Sequence, residues 1–114
     1  MYNITLKNAI NEKLSVIETK AFDTNIVYLC IPKWVQQHLE LKQFDSRVIT
    51  QDGLRIAVPY VGPIFIQIDN KYGYVGAIVT GDDIVVGSIP IDDLDLAVAE
   101  EVFINERLDQ QIRT

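Results

Sequence analysis

The chain of 114 residues has the length of one domain with a modest core of its own. Hydrophobic residues make up 48% of it and charged residues 23%, a composition typical of a globular protein that excludes a disordered one. The formal net charge of −6 leaves no basic surface, so we expect neither nucleic acid nor a membrane as a partner.

The chain has a single cysteine, which excludes an internal disulfide. It also has only one histidine, so a zinc site made from this chain alone is not expected. Residues 1–7 lack the pattern of a signal peptide, and no apolar run approaches the roughly 20 residues of a membrane helix. We therefore expect a cytoplasmic protein with no metal and no cofactor. We also expect a single domain over residues 1–114, with its core at about residues 14–105.

The first predicted element is a half-buried strand, because residues 14–22 alternate loosely between apolar and polar. Its core candidates are Val16, Ala21 and Phe22. Residues 26–31 are nearly all apolar and β-prone, which predicts a short buried strand. Cys30 in this strand is interpreted as a small buried hydrophobe.

The main helix is predicted from Pro32 to about Leu41, because proline suits the first turn of a helix. It is expected to have one broad apolar face, made of Trp34, Val35, His38, Leu39 and Leu41. His38 is interpreted as a partly buried structural residue. A catalytic pair of Cys30 and His38 stays open, although no other motif accompanies it.

A β-hairpin is predicted between residues 47 and 60, because the turn sequence Gln51-Asp52-Gly53 separates two β-rich arms. Gly62-Pro63 is expected to interrupt the chain before strands at residues 64–68 and 74–79. A second, short helix is expected after Gly87, with Ser88 as its cap, and residues 96–105 are expected to form a terminal strand or two. The sum is a mostly β protein with one main helix and one short helix.

Five aspartates in the last third of the chain are interpreted as solvated turn and helix-start carboxylates, because they lack the spacing of a calcium loop. They are Asp82, Asp83, Asp92, Asp93 and Asp95.

The most informative motif is Asp23-Thr24-Asn25, at the end of the first predicted strand. Asparagine is the commonest non-glycine residue at positive φ, so the motif can place a carboxylate on a tight loop. The same residues are ordinary turn formers, so the motif alone carries little weight. The motif becomes informative because two later segments, Gln51-Asp52-Gly53 and Val85-Val86-Gly87, follow it in the chain in a recognisable order.

This order resembles that of the retropepsin-like aspartic proteases, in particular their small bacterial single-domain members. In that family a strand ends in Asp-Thr-Gly, an apolar strand leads to a helix, an Asp-Gly hairpin follows, and a later strand ends in two apolar residues and Gly. The matching segments here are Asp23-Thr24-Asn25, Tyr28-Leu29-Cys30-Ile31-Pro32, Gln51-Asp52-Gly53 and Val85-Val86-Gly87. The resemblance covers residues 16–105.

The resemblance implies a half-barrel acid-protease fold and a homodimer in which each subunit contributes one catalytic Asp23. Two carboxylates about 3 Å apart cannot both ionise, so the pair holds one proton. The ionised partner takes a proton from a water molecule, which attacks the peptide carbonyl, and the protonated partner donates to the carbonyl oxygen. The implied substrate is a peptide or a protein.

The resemblance also implies roles for the neighbouring residues. Thr24 matches a threonine that ties the two active-site loops together across the dimer axis. The substrate-binding flap is implied at Gln51, Asp52, Gly53 and Leu54, and support for the cleft at Val85, Val86 and Gly87.

Asn25 stands where the family has glycine, and its side chain adds bulk at the cleft floor. The alternative is therefore a catalytically degenerate dimer that serves as a binding or regulatory module. A third hypothesis is an unrelated small β-barrel with a strand-mediated interface.

Overall fold

Strands of one open sheet make up most of the protein. The computed structural model describes residues 2–20 and 22–94, of which 57% lie in strands and 13% in helices, so the prediction of a mostly β protein is confirmed. In chain order the elements are β1 (Tyr2–Asn8), β2 (Ser15–Lys20), β3 (Leu29–Ile31), α1 (Lys33–His38), β4 (Lys42–Gln51), β5 (Leu54–Ile68), β6 (Lys71–Val79) and α2 (Ser88–Asp93).

The sheet is built around the 15-residue strand β5. The strand order is β2-β1-β5-β6-β3, with β3 parallel to β6 and the other pairs antiparallel. Residues 54–62 of β5 pair with β4, and residues 64–68 pair with β1 along the same edge. One long strand therefore carries both the hairpin and the centre of the sheet.

The predicted hairpin is present, as β4 and the first half of β5. Its turn residues Asp52 and Gly53 have φ angles of 53° and 78°, which identify the hairpin turn that Asp-Gly favours. The sequence predicted an interruption at Gly62-Pro63, but β5 continues through both residues. That peptide bond is cis, and the pairing of β5 with β6 changes register there, which is where a strand tolerates proline.

The two helices differ from their predictions. Each has six residues, so neither is a main helix. Trp34 is 51% exposed and His38 is also exposed, because a helix of this length turns only Val35 and the following Leu39 toward the core. The residue that caps α2 is Gly87, with no side-chain hydrogen bond, so the expected Ser88 cap is wrong. None of the described helices is long and apolar enough to cross a membrane.

Two clusters of apolar side chains form the core. The larger one includes Ile4 and Leu6 of β1, a strand that the sequence did not predict. Val16 is buried and Phe22 is packed against this cluster, as expected, while Ala21 and the strand expected at residues 96–105 lie outside the described residues. The smaller cluster lies under the hairpin, where Ile49, Ile56 and Val58 pack with Cys30, Ile78 and their neighbours.

Candidate functional site

The Asp23 loop is bound at both ends to the segment around Val85-Val86-Gly87. The Asp23 backbone N–H donates to the Val86 carbonyl at 3.0 Å, and Phe22 forms a parallel bridge with Val86. Beyond the loop, Cys30 and Val85 exchange two backbone hydrogen bonds, of 2.9 and 3.0 Å. Two motifs that are about sixty residues apart in the sequence therefore meet.

Gly87 is where the two segments come closest. The N–H groups of Ser88 and Ile89 donate to the carbonyls of Ile26 and Val27, both at 2.8 Å. A Cβ atom on Gly87 would lie 2.6 Å from the Ile26 oxygen and closer still to the Tyr28 oxygen. Glycine is required here because one backbone passes directly against another.

The Asp23 side chain closes a tight turn. Its Oδ1 accepts a hydrogen bond of 3.0 Å from the backbone N–H of Asn25, and its carbonyl accepts one of 3.2 Å from Ile26. The donor to the carboxylate is the Asn25 backbone, not its side-chain amide. Asp23 is half-buried, whereas Thr24 and Asn25 are exposed.

The backbone of Asn25 is not in the left-handed region that its residue type suggested. Among the described non-glycine residues, positive φ angles occur at Glu40, Asp52 and Asp69. The turn therefore does not require a glycine at position 25 for conformational reasons. The consequence of asparagine here is the space that its side chain takes.

A groove of about 390 Å³ separates the Asp23 loop from the hairpin. Asn25 lines one side of it and Gln51 the other, and all of its lining residues are neutral. Asp23 is not one of them, and neither are the turn residues Asp52 and Gly53 and the adjacent Leu54. Of the predicted site residues, the structure thus places one loop residue and one flap residue on the same cavity.

The sequence did not single out residues 26–28 as part of the site. Ile26, Val27 and Tyr28 line the groove, and the carbonyls of Ile26 and Val27 accept the bonds that hold the loop in place. They were predicted to form a regular strand, but β3 begins only at Leu29. The glycine at position 87 is the signal that points to them.

Cys30 and His38 do not form a catalytic pair. The Cys30 thiol is buried and contacts the Tyr28 carbonyl at 3.7 Å, whereas His38 bonds to the Ser15 carbonyl at 3.2 Å. Burial, with a smaller contribution from the negative charge of Asp23, raises the pKa of Cys30 to about 11. A nucleophilic cysteine has the opposite shift, so Cys30 is structural.

Within residues 2–20 and 22–94, no three His, Cys, Asp or Glu side chains come together in a way that could hold a metal ion. No protein-family model matches the chain, and no curated protein matches it.

Proposed function

We propose that the protein is a retropepsin-like aspartic peptidase whose active site forms when two copies bring their Asp23 carboxylates together. The observation that carries the proposal is the double attachment of the Asp23 loop to the segment that contains Val86 and Gly87. A catalytic carboxylate needs a fixed position, and backbone bonds on both sides of the loop supply one. The hairpin across the groove supports the same assignment.

The chemistry needs both carboxylates. One ionised group takes a proton from water while the other, protonated, donates to the carbonyl oxygen of the scissile bond. Each chain offers a single Asp23, so a monomer lacks one of the two roles. The pair acts as a unit that shares one proton.

The groove supports a peptide as substrate. Its neutral lining includes Ile26, Val48 and Ile49, which suit the apolar side chains of an extended segment. The hairpin that carries Gln51 borders the groove, where it can exclude water from a bound peptide.

The test is cleavage of a mixed peptide library between pH 4 and 7, read by mass spectrometry. We expect cleavage by the wild-type protein and none by Asp23→Asn, while the exposed control Asp82→Asn retains full activity. Equal amounts of unfolded wild-type and Asp23→Asn chains, refolded together, should have about one quarter of the activity of the same total amount of wild-type chain, because only dimers with two aspartates act. Cleavage by Asp23→Asn, or half the activity after mixing, contradicts a shared pair.

A second candidate is the degenerate binding module, and one observation favours it: Asn25, not Asp23, lines the groove. The variant Asn25→Gly separates the two functions. Unchanged or higher cleavage relative to an active wild type supports the peptidase. Cleavage that appears only in Asn25→Gly supports a wild-type protein that binds peptides without cutting them.

A further inference from the structure

A second cavity, of about 320 Å³, shares Tyr28 with the groove and extends beside α2. Four of its lining residues are aromatic: Tyr28, Phe44, Tyr60 and Tyr74. Among the described residues that line this aromatic pocket, only Asp93 is charged. The faces of aromatic rings are electrostatically negative, so rings and a carboxylate together favour a cation.

The rings are held in place before any ligand arrives. Tyr60 lies at the centre, with Phe44 and Tyr28 packed edge-on at centroid distances of 5.1 and 6.2 Å. Gly76 makes room for Tyr60, because a Cβ atom at that position would lie 2.6 Å from the Tyr60 hydroxyl oxygen. A preformed pocket loses little side-chain entropy on binding.

Two of the rings keep most of their surface open to solvent. Phe44 is 60% exposed and Tyr74 is 63% exposed, although each packs edge-on against another ring. The partner of Tyr74 is Phe65, at 5.7 Å. Rings that are anchored but uncovered contribute little to the core and remain accessible to a ligand.

The protein already places one cation on this group of rings. The Arg47 guanidinium lies 4.1 Å from the centre of the Tyr60 ring and pairs with Asp45 at 2.6 Å. This contact combines a cation, an aromatic face and a carboxylate. The aromatic pocket adds the rings of Tyr28, Phe44 and Tyr74 and another carboxylate, Asp93, with no cation among its described lining residues.

We propose that the aromatic pocket binds an alkylated ammonium ion. Apart from the tyrosine hydroxyls and Asp93, the lining side chains offer no acceptors to replace the water around a plain ammonium, which is strongly hydrated. Alkyl groups remove that hydration and enlarge the ion while keeping its charge. The net charge of −6 favours the approach of any cation.

The experiment is an NMR titration of the full chain with choline chloride, with sodium chloride at equal ionic strength as the blank. The matched probe is 3,3-dimethyl-1-butanol, which has nearly the shape of choline without its charge. We expect saturable shifts at Phe44, Tyr74 and Asp93, and binding of the neutral probe at least about fivefold weaker. Phe44→Leu and Tyr74→Leu should both weaken choline binding.

Substitutions in α2 test the role of the charge. Asp93→Asn should weaken choline binding severalfold and leave the neutral probe unchanged, whereas the neighbouring Asp92→Asn should change neither. Equal affinity for both probes overturns the proposal, and so does choline binding that Asp93→Asn leaves intact. Absence of saturable shifts overturns it as well, including the case in which a second copy or another part of the chain covers the pocket.

A peptide that carries trimethyllysine distinguishes the two sources of such a group. Tighter binding than choline assigns the pocket to a modified protein side chain, and weaker binding assigns it to a free small molecule.

Discussion

Replacing Gly87 with alanine is expected to destabilise the protein by forcing two backbone segments apart. The new Cβ atom would lie 2.6 Å from the Ile26 oxygen and 2.8 Å from the Val27 carbonyl carbon, and backbone atoms cannot rotate away. Separation strains the two 2.8 Å bonds from Ser88 and Ile89 to these carbonyls. A broken bond whose groups stay buried costs about 1–3 kcal/mol, so for the two bonds together we expect a loss of about 2–6 kcal/mol. The gain of about 0.4–1 kcal/mol from a less flexible unfolded chain is too small to offset this loss.

The assay is urea unfolding followed by circular dichroism. With a slope of about 1–3 kcal/mol per molar urea, a net loss of at least about 1 kcal/mol should lower the midpoint by at least about 0.3 M. Gly73→Ala is the matched control, because its Cβ atom would meet only the flexible end of Leu94, at 3.0 Å. A midpoint for Gly87→Ala equal to or above that of Gly73→Ala would refute the argument.

Two further predictions concern residues beside the site and in the core. Asn8→Ala should destabilise the protein by about 2–4 kcal/mol, because the Asn8 amide donates to the buried Leu39 carbonyl at 2.8 Å and its oxygen accepts two backbone bonds. In thermal denaturation, the Tm of Asn8→Ala should fall by roughly 10 °C, and the Tm of the exposed control Asn11→Ala should fall far less. Equal falls would contradict the structural role of Asn8. The pKa of Cys30 is raised to about 11 in the folded protein, so the unfolded chain releases the thiol proton first as the pH rises. We therefore expect the wild type to lose stability relative to Cys30→Ala between pH 9 and pH 11. Urea midpoints of the two proteins at each pH measure this difference in stability. Asp23→Asn should make the change with pH smaller, and a difference that does not vary with pH would contradict the prediction.

Elements whose cause is local could be predicted from the sequence. The hairpin depends on Asp52 and Gly53, two adjacent residues that adopt the φ angles their chemistry favours. Strand β1 was missed because it pairs with β5, about sixty residues away, and its Ile4 and Leu6 are buried only in the cluster that this pairing helps to build. A pattern of two apolar residues does not reveal such a distant partner.

In the candidate site, too, features with a local cause could be predicted and features that depend on distant residues could not. Both the Asp23 motif and the Gly87 motif could be singled out from the sequence, since both carry recognisable turn or glycine chemistry, but their contact became visible only in the structure. The groove lining did not follow from the sequence, because Ile26 and Val27 look like strand residues, yet their carbonyls pair with the start of α2. Trp34 was misplaced for a related reason, since the true helix is too short to bury a broad face.

The position of β1 between β2 and β5 has a consequence for synthesis. The β1–β2 hairpin is local and can form early, but the other edge of β1 pairs with residues 64–68. At about 5–20 residues per second, a ribosome needs about 3–12 s to add the sixty residues between Leu6 and Ile66. During that interval, one edge of β1, the strand that contains Ile4 and Leu6, is unpaired in the nascent chain. An unpaired strand edge can pair with another chain and start aggregation. Because slower translation of the intervening residues lengthens this exposure, we expect the yield of folded protein to depend on elongation rate as well as on stability.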